Sequence, residues 1–280
     1  MVGIGTMSSY AAFPHLKRTP FKSIYFDSNP CEGRILDIFE ASHSTREIAF
    51  FFVHGGGWKS GSRSIFHQII HEYVKLGFDC ASTDYRLKDV TIFDQVADIR
   101  IGLDIFAADL AKRNRPQKVL LIGSSAGAHL ALLTAFAKPE ECGVPEKPLN
   151  FACDIVGIVV QSAPFSFVPW PDIFPGSWQS MQSAAGMPYN DNKEVYKQLS
   201  PLHYIQAGMP PLLALHAENE EMFPREIYTE FAKRFLELGN VVQEKIYPRT
   251  EHGFFYSLER WQQREAFDDI LRFAEAVKNY

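Results

Sequence analysis

The stretch KVLLIGSSAGAHLALLTAFA, residues 118–137, decides the fold. KVLLIG is an apolar run of strand length, and AGAHLALLTAFA after it is helix-like. Between them, Gly123-Ser124-Ser125-Ala126-Gly127 fits the pattern G-x-S-x-G with Ser125 at its centre. A strand that turns directly into a helix crowds the backbone and strains the central residue. It requires small neighbours, and it leaves the central hydroxyl exposed at the top of the sheet. Ser125 is therefore a candidate nucleophile.

Working outward, the same alternation continues. Ser23–Asp27 and Arg34–Glu40 read as extended segments. IAFFFV (48–53) and FDCASTDY (78–85) read as buried strands, and Ile155–Gln161, Pro211–His216 and Val241–Tyr247 as later ones. Helical spacing runs over Phe66–Leu76, stopping at Gly77, and over Val96–Leu110, with Val96, Ile99, Leu103, Phe106 and Leu110 on one face. It returns over Pro224–Leu238, stopping at Gly239, and over Trp261–Val277. Strands and helices alternating in this way predict an α/β domain with a mostly parallel central sheet and helices on both faces. No repeat or linker divides the chain, so residues 1–280 are expected to form a single domain. One stretch departs from the pattern: APFSFVPWPDIFPGSWQSMQSAAGMPY (163–189) is rich in proline, glycine and aromatics. It predicts an aromatic-rich, cap-like insertion over about 163–192, because long structured insertions in compact domains are usually functional.

The bulk composition narrows the function. Of 280 residues, 46% are hydrophobic and 22% charged, the balance of a globular protein with a sizeable core. A net charge of -5 gives no basic surplus for nucleic acid, and no apolar run approaches the ~20 residues that span a bilayer. Neither nucleic acid nor membrane is an expected partner. The first residues lack a basic start followed by an apolar stretch, so a cytoplasmic location is expected. Cys31, Cys80, Cys142 and Cys153 form no C-x-x-C pair and read as reduced thiols. No metal site is expected.

Two further segments carry chemistry. His54-Gly55-Gly56-Gly57-Trp58 follows the strand IAFFFV directly. Consecutive glycines let backbone N–H groups approach a ligand. Gly56, Gly57 and Trp58, together with Ala126 after the nucleophile, are candidate oxyanion donors. A serine also needs a base that titrates near neutrality. Of nine histidines, His252 sits in a loop between the last strand and the last helix, and it is the candidate base. An acid that orients this histidine should follow the strand Pro211–His216. That loop holds Glu218, Glu220 and Glu221, with Glu220 placed first, Glu218 next and Glu221 last. The order Ser125, Glu220, His252 is the chain order expected of a nucleophile-elbow hydrolase. Phe165, Phe167, Trp170, Phe174 and Trp178 are candidates to line an acyl or alcohol pocket, a packed hydrophobic flap being the alternative.

HGGGW (54–58), DYRL (84–87), GSSAGAHLA (123–131) and EHGF (251–254), in this order, resemble the esterase/lipase branch of the α/β-hydrolases. The nearest likenesses are hormone-sensitive-lipase-like esterases, small bacterial carbohydrate esterases that deacetylate xylan, and kynurenine formamidases. The resemblance runs from about Ser23 to the C-terminus and includes Ser200-Pro201-Leu202. It implies an α/β-hydrolase fold and a serine carboxylesterase with no cofactor. The family's D-x-x-V-P falls on Glu220-Glu221-Met222-Phe223-Pro224, which puts the acid on Glu220, a glutamate in place of the usual aspartate. The expected substrate is a small-molecule or oligosaccharide ester with a short acyl group, such as acetyl or feruloyl esters of carbohydrates. Arylformamidase activity is the second reading, and a hydrolase-fold ligand receptor is the non-enzyme reading. A homodimer is compatible with all three.

Overall fold

Strand β3 (Ala49–Val53) is buried on both faces, and its alternating side chains define the layers of the molecule. Phe51 and Val53 enter one apolar cluster, while Phe50 and Phe52 enter another on the opposite side. The first cluster is completed by α2 (Ile92–Lys112) and α3 (Ala126–Phe136), the second by α1 (His67–Lys75) and α7 (Trp261–Val277). Helices therefore cover both faces of the sheet. A third cluster joins Ile158, Val160, Leu212 and Ala214 to Phe231 and Phe235 of α6 (Arg225–Glu237). The computed structural model describes residues 19–27, 33–44, 46–150 and 153–278.

The strands are β1 (Lys22–Tyr25), β2 (Ile35–Phe39), β3, β4 (Cys80–Thr83), β5 (Lys118–Ser124), β6 (Asp154–Gln161), β7 (Leu212–Asn219) and β8 (Val242–Glu251). They form one sheet in the order β1-β2-β4-β3-β5-β6-β7-β8. β2 runs antiparallel to both its neighbours, and every pairing from β4 to β8 is parallel. β5 lies near the centre, so its C-terminal end opens at the sheet edge where parallel α/β proteins place their ligands.

Element limits follow local chemistry. Helix α2 begins at Ile92, four residues before the expected start, because Asp94 Oδ2 accepts the Thr91 N–H at 2.8 Å and caps the first turn. Between β6 and β7 the aromatic insertion contains α4 (Pro175–Ala185) and α5 (Lys193–Gln198). Met181, Ala184, Ala185, Tyr196 and Leu199 are buried in the same cluster as α2 and α3, so the insertion packs on the nucleophile-bearing half of the sheet. Cys80, Cys142 and Cys153 are free thiols. Cys31, His15 and the N-terminal stretch read as lacking a leader lie outside the described residues. Among the described residues, no helix is long and apolar enough to cross a membrane.

Candidate active site

The turn at Ser125 is as tight as its sequence demands. Ser125 has φ +53 and ψ −122, a conformation that costs an L-residue on the order of 1–3 kcal/mol. The flanking glycines make room for it. A Cβ on Gly123 would stand 2.4 Å from the Gly127 carbonyl oxygen, and one on Gly127 would stand 2.3 Å from those of Val53 and His54. The Ser125 N–H is tied to the Gln161 carbonyl at 2.8 Å, which fixes the turn to the end of β6.

The structure brings Ser125, His252 and Glu220 together. The Ser125 hydroxyl donates to His252 Nε2 at 2.8 Å. His252 Nδ1–H donates to the Glu220 carboxylate, with both oxygens 2.9 Å away. The Glu220 carboxyl is held below its ordinary value: burial opposes ionisation, but the His252, Ser162 and Met222 donors outweigh it. The other two glutamates lie elsewhere. Glu218 accepts the Arg249 N–H at 2.8 Å, and Glu221 is exposed.

The glycine loop lies directly against the serine. A Cβ on Gly55 would stand 2.8 Å from the Ser124 carbonyl oxygen and 3.2 Å from Ser125 Cβ, so the close approach favours glycine. Gly57 and Trp58 both have positive φ, near +60, and the space where a Cβ of Gly57 would point is open. Among the described residues, the N–H groups of Gly56, Gly57, Trp58 and Ala126 have no hydrogen-bond acceptor within the protein, as anion-binding amides require. Trp58 is held in place: Gln95 Nε2 donates to its carbonyl at 2.8 Å, and its indole N–H donates to His129 Nδ1 at 3.2 Å.

His129 also lies against the glycine loop. It stands one helical turn after Ser125, wholly buried, and its Nε2–H donates to the Leu199 carbonyl at 2.7 Å. It therefore ties the glycine loop, helix α3 and the end of the insertion to one ring. Burial pushes its pKa down to about 4, so the imidazole is neutral.

The aromatic candidates separate. Phe165 and Trp170 line a cavity of about 90 Å³, shared with His216, Glu220, Phe223 and Tyr228. Trp170 meets Phe223 edge-on at 6.1 Å, and the Phe223 ring lies 5.6 Å from that of His252, so the start of the insertion borders the site. The pocket expectation does not hold for the other three. Phe167 is wholly buried, stacked on His129 at 4.8 Å and edge-on to Trp58. Trp178 packs on Tyr189 and Tyr196. Phe174 is 68% exposed. Their apolar rings are used to fasten the insertion down or left in solvent.

Gln161, Ser162 and Tyr256 are functional-site neighbours that the sequence reading passed over. The only signal was a polar pair, Gln161-Ser162, at the abrupt end of an apolar strand. Among the described residues, no group of three or more His, Cys, Asp or Glu is placed to hold a metal ion.

Residues 36–235 match the BD-FAE family. Among curated relatives, esterase LipQ of Mycobacterium tuberculosis is 24% identical over 237 residues, covering 79% of this chain and 54% of that protein. Esterase LipC of the same organism is 23% identical over 263 residues, covering 87% and 62%. The chain thus spans less than two thirds of the length of these relatives. Among solved structures, esterase B of Lactobacillus rhamnosus superposes with a TM-score of 0.77 at 19% identity, covering 92% of this chain and 85% of that one. Thermogutta terrifontis esterase 2, phosphonylated by sarin, superposes with a TM-score of 0.73 at 23% identity, covering 85% and 88%. The fold is that of the α/β-hydrolases.

Proposed function

Because the chain belongs to the BD-FAE family, we propose that it is a serine carboxylesterase in which Ser125, His252 and Glu220 act as nucleophile, base and orienting acid. The observation that carries this reading is the unbroken hydrogen-bonded series from Glu220 through His252 to the Ser125 hydroxyl. A serine hydroxyl is a weak nucleophile until a neighbouring base takes its proton. Ser125 Oγ attacks the ester carbonyl carbon as its proton passes to His252 Nε2. Glu220 fixes the tautomer that leaves Nε2 free and stabilises the imidazolium that forms. The carbonyl oxygen, now an anion, takes hydrogen bonds from the Gly56, Gly57, Trp58 and Ala126 amides. One such donor is typically worth ~3 kcal/mol in the transition state. The imidazolium then protonates the departing alcohol. Water, deprotonated by His252, releases the acid and restores Ser125.

Acetyl and other short acyl esters, including acetylated or feruloylated carbohydrates, are the proposed substrates. The Phe223 ring beside His252, with Trp170 edge-on to it, supplies an aromatic wall at the site that suits a compact group. The test is turnover of p-nitrophenyl esters of increasing chain length and of acetylated xylan. Rates that fall with chain length and vanish in Ser125→Ala support the reading. Faster release of formate from an N-formyl aromatic amide than of acetate from any ester would replace it.

A further inference from the structure

We propose that His129 is a positioning residue for the oxyanion site: it accepts the Trp58 indole N–H and so fixes the backbone amide of Trp58 beside Ser125. This inference rests on the esterase reading above.

The Trp58 amide needs an external hold. Trp58 has φ +63, a left-handed conformation that costs a bulky residue on the order of 1–3 kcal/mol and persists only where the surroundings over-determine it. Three contacts from three elements supply that hold. Gln95 of α2 donates to the Trp58 carbonyl at 2.8 Å. His129 of α3 accepts the indole N–H at 3.2 Å, and the two rings meet edge-on with centroids 5.5 Å apart. Phe167 of the insertion also meets the indole edge-on, at 5.3 Å.

The His129 tautomer is dictated from the insertion. The Leu199 carbonyl, 2.7 Å from Nε2, is an acceptor only, so Nε2 carries the hydrogen. The neutral ring then has a lone pair on Nδ1 facing the indole N–H. Either the imidazolium or the other tautomer would set a hydrogen on Nδ1 against that of the indole. Leu199 follows α5 and is wholly buried, and the Phe167 N–H donates to Ser200 Oγ beside it at 2.8 Å, so this acceptor belongs to the docked insertion. At its other end the ring is anchored to the nucleophile, since the His129 N–H donates to the Ser125 carbonyl at 3.1 Å. Trp58 and His129 are 5% and 0% exposed, so the bond between them is shielded from water.

The two ring nitrogens can be tested apart, because an asparagine amide falls near Nδ1 and a glutamine amide near Nε2. The experiment compares His129→Asn, His129→Gln and Trp58→Phe in hydrolysis of p-nitrophenyl acetate, with Tm followed in parallel. It also measures inhibition by an aryl trifluoromethyl ketone, whose serine adduct presents an anionic oxygen to the same amides. His129→Gln keeps a donor for Leu199 and loses the acceptor for Trp58. It should lower kcat about tenfold or more, the scale of a displaced oxyanion donor, with KM within about twofold. Its affinity for the ketone should fall by a similar factor. Trp58→Phe leaves α3 untouched and should show the same losses, and it carries the test if His129→Gln does not fold. His129→Asn, which keeps the acceptor, should stay within about threefold of wild-type kcat. Wild-type kcat in Trp58→Phe or in His129→Gln would overturn the proposal. Equal losses in His129→Asn and His129→Gln would also overturn it, by assigning His129 a packing role, as would a lost kcat with unchanged ketone affinity. Full activity in Ser125→Ala would instead overturn the esterase reading itself, and this inference with it.

Discussion

Two neighbouring parallel strands, β5 and β6, end in the same way: each gives on to a serine with positive φ, Ser125 at +53 and Ser162 at +51. The two turns are joined, since the Ser125 N–H bonds to the carbonyl of Gln161. Their hydroxyls nevertheless meet different partners: Ser125 faces His252, and the Ser162 hydroxyl accepts from Gln161 Nε2. The first turn is announced by glycines on both sides, because a helix must start at once and its backbone would collide with any side chain at Gly123 or Gly127. The second leads into a loop, where no helix crowds it, and it carries no such signature. Similar backbone strain thus places a serine hydroxyl against the His252 ring in one turn and against the Gln161 side-chain amide in the other.

The comparison can be broken in several ways. The largest effect is expected at the reacting end. Ser125→Ala should lower kcat by about 10⁴-fold or more, measured on p-nitrophenyl acetate with Tm followed in parallel. Next comes the acid: Glu220→Gln should cost about 10³-fold with the fold intact, whereas Glu218→Gln and Glu221→Gln should stay within about twofold. A large loss at Glu218 would reassign the acid.

Stability against pH tests the buried histidines that frame both turns. His129 and His216 are held down to about 4 by burial, below the ordinary 6.5. Between these values the unfolded chain binds protons that the folded chain refuses. Stability is therefore fully present above pH 6.5 and is lost as pH falls towards 4. The slope approaches ~1.4 kcal/mol per pH unit for each histidine. Urea unfolding between pH 7 and 4 should show this slope, and His129→Gln should make it shallower.

The smallest effect is on backbone strain. Ser125→Gly and Ser162→Gly should each raise stability by about 1 kcal/mol. If only one does, the two turns are not equivalently strained.

How much was legible follows the same division. The sheet could be read because central strands such as Ala49–Val53 are buried on both faces and so become continuous apolar runs. Ser125, the glycine loop and the loop position of His252 could be read because steric crowding or chain order leaves a pattern. Glu220 could be ranked first of three glutamates by its loop and the family resemblance, and its 2.9 Å distance from His252 separates it from Glu218. Gln161 and Ser162 left little trace, since one polar pair after an apolar strand resembles any strand end. The aromatics of the insertion misled in part. A ring that docks a flap, as Phe167 does on His129, has the same letter as one that lines a pocket, and only burial distinguishes them.

The most direct test of the central claim, that Ser125 is the activated nucleophile of this site, is stoichiometric labelling with an aryl phosphonate ester followed by peptide mass mapping. One adduct per chain is predicted, on the peptide containing Ser125, absent in Ser125→Ala and formed far more slowly in Glu220→Gln. An adduct on any other residue, or a rate unchanged by Glu220→Gln, would contradict it.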